Sequence, residues 1–283
     1  MSDARRTCAI VDAHVHLHGC YDPDAFFEHA FANLTVAAER FHSLPGRAYY
    51  LLMTECAGDD YFGRLQAAAS GDHGRGGWLK QWSISHTGEP ECVVARENGR
   101  HIYVVAGRQV QCREGLEVLM LGTTRRFQDG QSIRDVLAMA ASLGVPHVIP
   151  WGLGKWFFQR GKLLSELLKE YRKPTLFLGD EGGRPGFWPY PSHFREGAEL
   201  GVRDLPGTDP LPFAHDVVKV GRVGLRVPIE LDESRPASSL LRVLTDGTTS
   251  FERFASLEPP IQFVRNQVAM QLRKRRAAPG AHA

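Results

Sequence analysis

The chain has 283 residues, of which 43% are hydrophobic and 23% charged, an ordinary balance for a globular protein with a sizeable core. The formal net charge of +2 is nearly neutral, so no general electric field attracts nucleic acid or a membrane surface. No apolar targeting segment opens the sequence, and no run approaches the roughly 20 apolar residues of a membrane span. Five cysteines without a C-x-x-C pair favour reduced thiols and a cytoplasmic protein.

The first distinctive segment, residues 10–18, has the sequence IVDAHVHLH and begins as a buried strand. Alternate residues of a strand share a face, so we expect Asp12, His14 and His16 to point the same way. Two imidazoles at i and i+2 can bind one divalent metal, and a nearby carboxylate can orient a ligand imidazole. We therefore predict His14 and His16 as metal ligands and Asp12 as the residue that orients them. A histidine-rich surface turn is the alternative.

Helical and strand patterns follow in the first half of the chain. Asp22-Pro23 is typical of a helix start, and apolar residues at helical spacing continue to Phe41. A buried strand is predicted at residues 49–53. Three short β-like runs come next, with an Asn-Gly hairpin turn between the last two; they span residues 82–85, 92–95 and 102–105.

Strands and helices alternate regularly in the second half. Beyond residue 212, the runs 217–220 and 224–229 predict a β-hairpin, and two helices follow it, around 238–244 and from Ile261. We predict a single domain over 1–283, with its core at 9–212 and a C-terminal hairpin and helices at 213–283. The predicted strands of this half are residues 116–121, 145–150, 175–178 and 202–205, and its first three helices are 132–144, 163–171 and 192–200.

Polar residues follow the C-terminal ends of the predicted strands. In a (β/α) barrel those ends converge on one face, so we predict an α/β fold that is a distorted, TIM-like (β/α)7-8 barrel with an inserted β-hairpin. An open doubly wound sheet is the alternative. The residues concerned are His14, His16, Glu55, Arg108, Gln109, Lys155, Asp180, Glu181 and Asp209.

Two of these strand ends predict particular chemistry. Asp209, in the segment LPGTDP, can bind a metal or take a proton from water, although an Asp in a Pro-flanked turn is the competing interpretation. The segment WGLGK, which ends at Lys155 and precedes a helix, resembles an anion cradle. Arg184 and Arg108 are further candidates for holding an anionic substrate.

The opening Asp12-Ala13-His14-Val15-His16 resembles the D-x-H-x-H start of two families of metal-dependent hydrolases with TIM-like barrels. These are the amidohydrolases and the PHP (polymerase and histidinol phosphatase) family. Segments 53–56, 107–110 and 207–209 are similar to later PHP motifs, but three positions depart from the family pattern: Cys56, Gln109 and Leu211. The loss of a bridging carboxylate disfavours a multi-metal cluster and leaves a site for one metal.

The resemblance implies a hydrolase that activates water on a divalent ion such as Zn, Mn or Fe. We predict a phosphoesterase, or failing that an amidohydrolase, acting on a small anionic molecule. Nucleic acid is not an expected partner, even through the basic segment 273–276, and the sequence leaves a homo-oligomer open. A barrel that has lost catalysis and binds a ligand or partner is the alternative. The predicted metal ligands are His14, His16, Asp209, Glu55 and Asp180, with Asp209 and Lys155 as catalytic residues.

Overall fold

The computed structural model describes residues 5–41, 46–72, 77–171, 174–182, 184, 190–255, 261, 264–266 and 268–270. The strands are β1 (Arg5–Val15), β2 (Arg47–Met53), β3 (Ser83–His86), β4 (Cys92–Glu97), β5 (Arg100–Val105), β6 (Gly107–Gln111), β7 (Glu117–Leu121), β8 (His147–Pro150), β9 (Leu176–Gly179), β10 (Arg203–Asp204), β11 (Gly224–Leu231) and β12 (Glu252–Phe254). The helices are α1 (Pro23–Arg40), α2 (Tyr61–Ala69), α3 (Ile133–Leu143), α4 (Phe158–Glu170), α5 (Ser192–Glu199) and α6 (Pro236–Thr245), with a 3-10 helix at Ala214–Lys219.

The strands form two mixed sheets. The larger has the order β12-β11-β1-β2-β5-β4-β3, and the smaller has the order β10-β9-β8-β7-β6. Strand β1 is parallel to β2 but antiparallel to β11, and β7 is antiparallel to both of its neighbours. The fold is therefore α/β, but its strands do not form one parallel array.

The predicted TIM-like barrel is wrong. A barrel requires one continuous ring of paired strands, whereas these two sheets stay open. Strand β11 pairs with β1 from Arg5 to Val11 and so occupies the edge that ring closure would need. In the described part of the chain, two isolated bridges lie outside the ladders, at Glu55–Arg108 and Glu181–Gly207.

The predicted C-terminal hairpin is also wrong. Its first half lies in the 3-10 helix, and its second half is β11, which pairs with β1 and β12. The alternating pattern of β11 buries Leu225, Val227 and Ile229 in the same apolar cluster as β1 and α6. A half-buried strand with this pattern pairs with a strand beside which its apolar face is covered. That partner need not be the next strand in the sequence.

Other predicted elements are confirmed. Strands β4 and β5 form the expected hairpin, and Asn98 and Gly99 in its turn both have positive φ, at 45° and 79°. Helix α6 matches the helix predicted at 238–244. Residues 261, 264–266 and 268–270 are helical, as predicted for the terminal helix, whereas segment 273–276 lies outside the described residues. Helix α2 was not predicted.

No helix in the described ranges combines the length and hydropathy needed to cross a membrane.

Strand β1 is buried on both faces, which explains its continuous apolar run. Ile10 and Val15 pack in a cluster with α1, while Ala9 and Val11 pack in a second cluster with β11 and α6. A third cluster covers the smaller sheet with α3, α4 and α5. The first histidines therefore lie at the end of a strand that is covered on both faces.

The end of β1 meets residues 206–209 along what we call the seam. Ala13 N–H donates to the Pro206 carbonyl at 3.4 Å, and Asp209 N–H donates to the His14 carbonyl at 2.8 Å. Gly207 lies so close to β1 that a Cβ there would be 2.3 Å from the His14 nitrogen. Glycine is therefore required at this position, because a side chain would force the two segments apart.

Replacing Gly207 with Ala is expected to lower the free energy of unfolding by about 1–3 kcal/mol, the usual cost of overpacking, because backbone atoms block the new methyl group. Urea unfolding measures this change. Gly58→Ala is the matched control, since a Cβ at Gly58 would meet nothing within 4 Å. Equal stability of the two variants would contradict the close packing of the seam.

Candidate metal centre

An irregularity in β1 sets the direction of the histidines. The register between β1 and β2 shifts between Asp12 and Val15, so the predicted alternation is interrupted. As a result Ile10 and Val15 pack in the same cluster although they are an odd number of residues apart. The side chains of His14 and His16 meet each other, whereas Asp12 bonds elsewhere.

His14, His16 and Asp209 form a compact group that we call the triad. The Nε2 atoms of the two imidazoles are 3.1 Å apart, and each lies 3.5 Å from Asp209 Oδ1. Both histidines are buried, and the Asp209 side chain is 28% exposed. The triad thus has a closed inner side and one partly open side. Among the described residues it is the group of histidine, cysteine or acidic side chains whose donor atoms could hold a metal.

Asp12 holds the segment that carries Asp209. Its buried carboxylate accepts hydrogen bonds from the Thr208 N–H at 2.8 Å, the Thr208 hydroxyl at 2.5 Å and the Gly221 N–H at 2.9 Å. It also accepts from the His14 N–H at 3.3 Å. Burial raises the pKa of Asp12 to about 6, although these hydrogen bonds oppose the shift. Asp12 therefore positions the opposite side of the triad, and its described bonds do not involve an imidazole ring.

The backbone of Asp209 is itself unusual. Its φ is +47°, a left-handed conformation that residues other than glycine rarely adopt, although Asp is among those that tolerate it best. Backbone hydrogen bonding to His14 and the bonds of neighbouring Thr208 to Asp12 hold this conformation. Such strained positions concentrate at functional sites.

The triad fits a divalent metal in both size and chemistry. Tetrahedral ligands at about 2.0–2.2 Å from an ion lie about 3.3–3.6 Å from one another, close to the three separations observed here. Two imidazoles and one carboxylate are also a ligand set of catalytic zinc sites. His16 Nδ1 and Gln109 Oε1 are buried and make no hydrogen bond, and the buried His14 Nδ1 and Glu181 Oε1 lie 3.4 Å apart as an ion pair that is not aligned as a hydrogen bond.

The pKa values of the two imidazoles shift in opposite directions. Burial favours neutral rings, but the negative charges of Asp209 and Glu181 raise the pKa of His14 to about 9. Burial and the nearby His14 lower the pKa of His16 to about 3. Burial alone would raise the pKa of Asp209, but both imidazoles hold it well below its usual range. A ligand imidazole must be neutral, so a metal at the triad would require His14 without its second proton.

Glu181, rather than Asp180, reaches the triad. Glu181 is buried, and its Oε1 lies 3.4 Å from His14 Nδ1, on the side of the ring away from the triad. A carboxylate in this position orients a ligand imidazole, the role that we had predicted for Asp12. Strand alternation contains the signal: Phe177 packs with β1 and Leu178 packs with the helices, so Glu181 shares the face of Phe177.

Asp180 binds two arginines instead. Arg184 Nε and Nη2 donate to its carboxylate oxygens at 2.9 and 3.1 Å, and Arg253 of β12 donates to it as well. The predicted metal ligand and the predicted substrate-binding Arg184 thus pair with each other.

Glu55 and Arg108 form a second such pair. Arg108 Nη1 is 2.8 Å from Glu55 Oε2, and the other oxygen of Glu55 accepts the Phe62 N–H at 2.8 Å, at the start of α2. Both side chains are almost fully buried. The predicted ligand Glu55 therefore holds α2 and β6 together, outside the group that can hold a metal.

Lys155 contacts the carboxylate of Glu117, for which we predicted no separate role. Its Nζ is 2.5 Å from Glu117 Oε2, at the first residue of β7. Burial would lower the pKa of Lys155, but Glu117, Glu181 and Asp209 raise it. The ammonium group is therefore held in the field of the acidic groups around the triad.

No protein-family model and no curated protein sequence matches the chain. The structure is similar to PsfC from Pseudomonas syringae PB-5123, with a TM-score of 0.52 and 15% sequence identity over 94% of this chain and 98% of that chain. This likeness shows a shared fold over nearly the whole length.

Two weaker similarities are to Endonuclease Q. One is to the lesion-specific enzyme from Pyrococcus furiosus, with a TM-score of 0.49 and 11% identity over 87% of this chain and 58% of that chain. The other is to an Endonuclease Q complex with a 27-mer duplex that carries an abasic lesion, with a TM-score of 0.47 and 11% identity over 88% and 58%. Similarity at this level assigns no activity or partner, and the resemblance to the PHP family stays a prediction.

Zn²⁺ or Mn²⁺ is expected to raise the melting temperature of the parent protein. We expect this rise to be abolished in the variants His14→Ala, His16→Ala and Asp209→Asn. The reason is that the ion loses one of three ligands. Differential scanning fluorimetry after metal removal measures the rise. His86→Ala is the control, because His86 is exposed and bonds Ser70. A full metal-induced shift in all three variants would exclude the triad as a metal centre.

The variants Glu181→Gln and Asp180→Asn are expected to distinguish the roles of the two neighbouring carboxylates. Glu181→Gln should weaken metal affinity by about 10–100-fold, as expected for the loss of a group that orients a ligand imidazole. Asp180→Asn should lower stability, because it leaves Arg184 and Arg253 without their shared charge, and it should preserve metal affinity. Isothermal titration with Zn²⁺ and urea unfolding measure the two effects. The reverse pattern would assign the role to Asp180.

Proposed function

We propose that the chain is a divalent-metal-dependent hydrolase that cleaves phosphoesters of small anionic molecules. The observation that carries the proposal is the triad, with its three separations of 3.1–3.5 Å and its single partly open side. When bound there, a divalent ion supplies Lewis acidity that lowers the pKa of water and polarises a phosphoryl oxygen.

The chain's own residues divide the remaining work. His14 and His16 bind through Nε2, and Glu181 holds the His14 ring in the required orientation. Asp209 binds with one oxygen, and its partial exposure leaves the other able to accept a proton at the open side of the triad. These four groups come from the ends of β1 and β9 and from the seam.

Lys155 supports an anionic substrate. Its side chain is 31% exposed, and only one short contact, to Glu117, is described for its ammonium group, which has three donors. An ammonium in the field of Asp209 and Glu181 attracts a phosphate oxygen and stabilises the negative charge that develops during cleavage. A neutral amide gains less from this charge, so the phosphoesterase is preferred over a C–N hydrolase.

Turnover is expected to require a metal. Protein stripped with a chelator should be inactive on p-nitrophenyl phosphate and bis(p-nitrophenyl) phosphate, and Zn²⁺, Mn²⁺ or Fe²⁺ should restore activity. Asp209→Asn should lower kcat/KM at least about 100-fold, because it removes a ligand and a proton acceptor. Release of nitrophenolate measures the rate, and His86→Ala is the control.

Three outcomes would overturn the assignment. Equal activity of stripped and metal-loaded protein would exclude metal-dependent hydrolysis. Turnover of an amide such as a p-nitroanilide, without turnover of either phosphate compound, would assign a C–N hydrolase. Metal binding without turnover of any of these compounds would favour a ligand-binding protein that has lost catalysis.

A further inference from the structure

The third histidine of the opening segment, His18, lies beside the triad without belonging to it. Its ring stacks on the ring of His16, with the centroids 5.4 Å apart and the two planes inclined by 16°. Its Nε2 lies 2.9 Å from the carbonyl oxygen of Pro210. A carbonyl oxygen only accepts hydrogen bonds, so the His18 Nε2 carries a hydrogen atom and donates it. A nitrogen that donates in this way cannot also bind a metal.

The segment bound by this ring directly follows the carboxylate of the triad. Pro210 comes after Asp209, whose backbone has the left-handed φ of +47°. The next residue, Leu211, is bound on both sides of its backbone. The Tyr21 hydroxyl donates to the Leu211 carbonyl at 2.5 Å, and the Leu211 N–H donates to the buried Asp216 carboxylate at 3.1 Å. Side chains from distant parts of the chain therefore hold the two residues after the triad carboxylate.

His18 and Tyr21 form one packed unit in the turn between β1 and α1. Their rings meet edge to face, with the centroids 5.3 Å apart, and the Tyr21 N–H donates to the His18 carbonyl at 2.9 Å. The next residue, Asp22, caps α1 by accepting the Ala25 N–H at 3.0 Å. The turn is thus tied to the helix, and it presents two side-chain donors to segment 210–211 from a fixed position.

The left-handed backbone of Asp209 requires such support on both sides. A residue other than glycine persists in this conformation only where the surrounding contacts determine it. On the N-terminal side, the Asp209 N–H bonds to the His14 carbonyl, and Thr208 bonds to Asp12. On the C-terminal side, the bonds from the turn complete the support. Without them the backbone can relax to an ordinary φ and carry the carboxylate away from the imidazoles, which now lie 3.5 Å from it.

We propose that His18 is a positioning residue of the metal centre, which holds the backbone after Asp209 through its hydrogen bond to Pro210. The Tyr21 hydroxyl holds the same segment one residue further along the chain. The stacked ring of His18 also limits how the ligand His16 can turn. This inference rests on the proposed function, because it assumes that the triad binds an ion.

The variants His18→Phe and His18→Gln separate the hydrogen bond from the ring. Phe keeps an aromatic ring but cannot donate, whereas Gln lacks the ring but places an amide N–H at a similar reach. We expect His18→Phe to weaken Zn²⁺ affinity about 10–100-fold, the usual loss for a group that orients metal ligands, and His18→Gln to restore it. Isothermal titration measures the affinity, and the melting temperature of the metal-free protein shows whether each variant is folded. His86→Phe, at an exposed position, is the matched control and should bind as the parent does.

The variant Tyr21→Phe supplies a test even if His18→Phe does not fold, since it removes only the hydroxyl that donates to Leu211. Its Zn²⁺ affinity is expected to fall as well. Tyr49→Phe is the matched control, because it removes a hydroxyl that bonds to Thr35 instead.

Three results would overturn the role of His18. They are the parent's affinity in a folded His18→Phe protein, the parent's affinity in Tyr21→Phe, and a His18→Gln protein that binds as weakly as His18→Phe. The last result would assign the effect to the ring and not to the hydrogen bond. No Zn²⁺ binding by the parent would instead contradict the proposed function, so the two failures are distinguishable.

Discussion

The candidate site depends on the buried carboxylate of Asp12. Its hydrogen bonds to Thr208 and Gly221 join β1 to two segments that lie 196 and 209 positions later in the chain. The two sheets meet here without a continuous ladder, and these side-chain bonds add to the two backbone hydrogen bonds of the seam. An unpaired buried carboxylate is costly, so these donors stabilise the fold around Asp12.

The sequence predicted which polar groups meet better than it predicted the fold around them. The H-x-H segment and Asp209 were recognised because imidazoles and carboxylates stand out directly after apolar strands. The barrel was inferred from repeated strands and helices, a pattern that does not show which strands pair. The antiparallel pairing of β1 with β11 depends on contacts between distant segments, which no local pattern contains.

Errors in assigning individual acidic residues have a similar cause. Asp180 and Glu181 are adjacent, so their side chains point to opposite faces beyond β9. Which of the two faces the triad depends on which face of β9 lies toward β1. The pairs Glu55–Arg108 and Asp180–Arg184 explain why residues predicted as ligands or substrate contacts bind each other instead. A register shift within β1 separates Asp12 from the two histidines, and nothing in the sequence of that strand marks the shift.

The separation of 196 positions between Asp12 and Thr208 also constrains how the protein is made. Contacts between such distant residues form late, since the chain between them must first become compact. During synthesis the imidazoles leave the ribosome long before their carboxylate partner exists. A chain must therefore extend past residue 209 before it has all three side chains of the triad. A shorter, partly synthesised chain lacks the complete triad even if its larger sheet has begun to form.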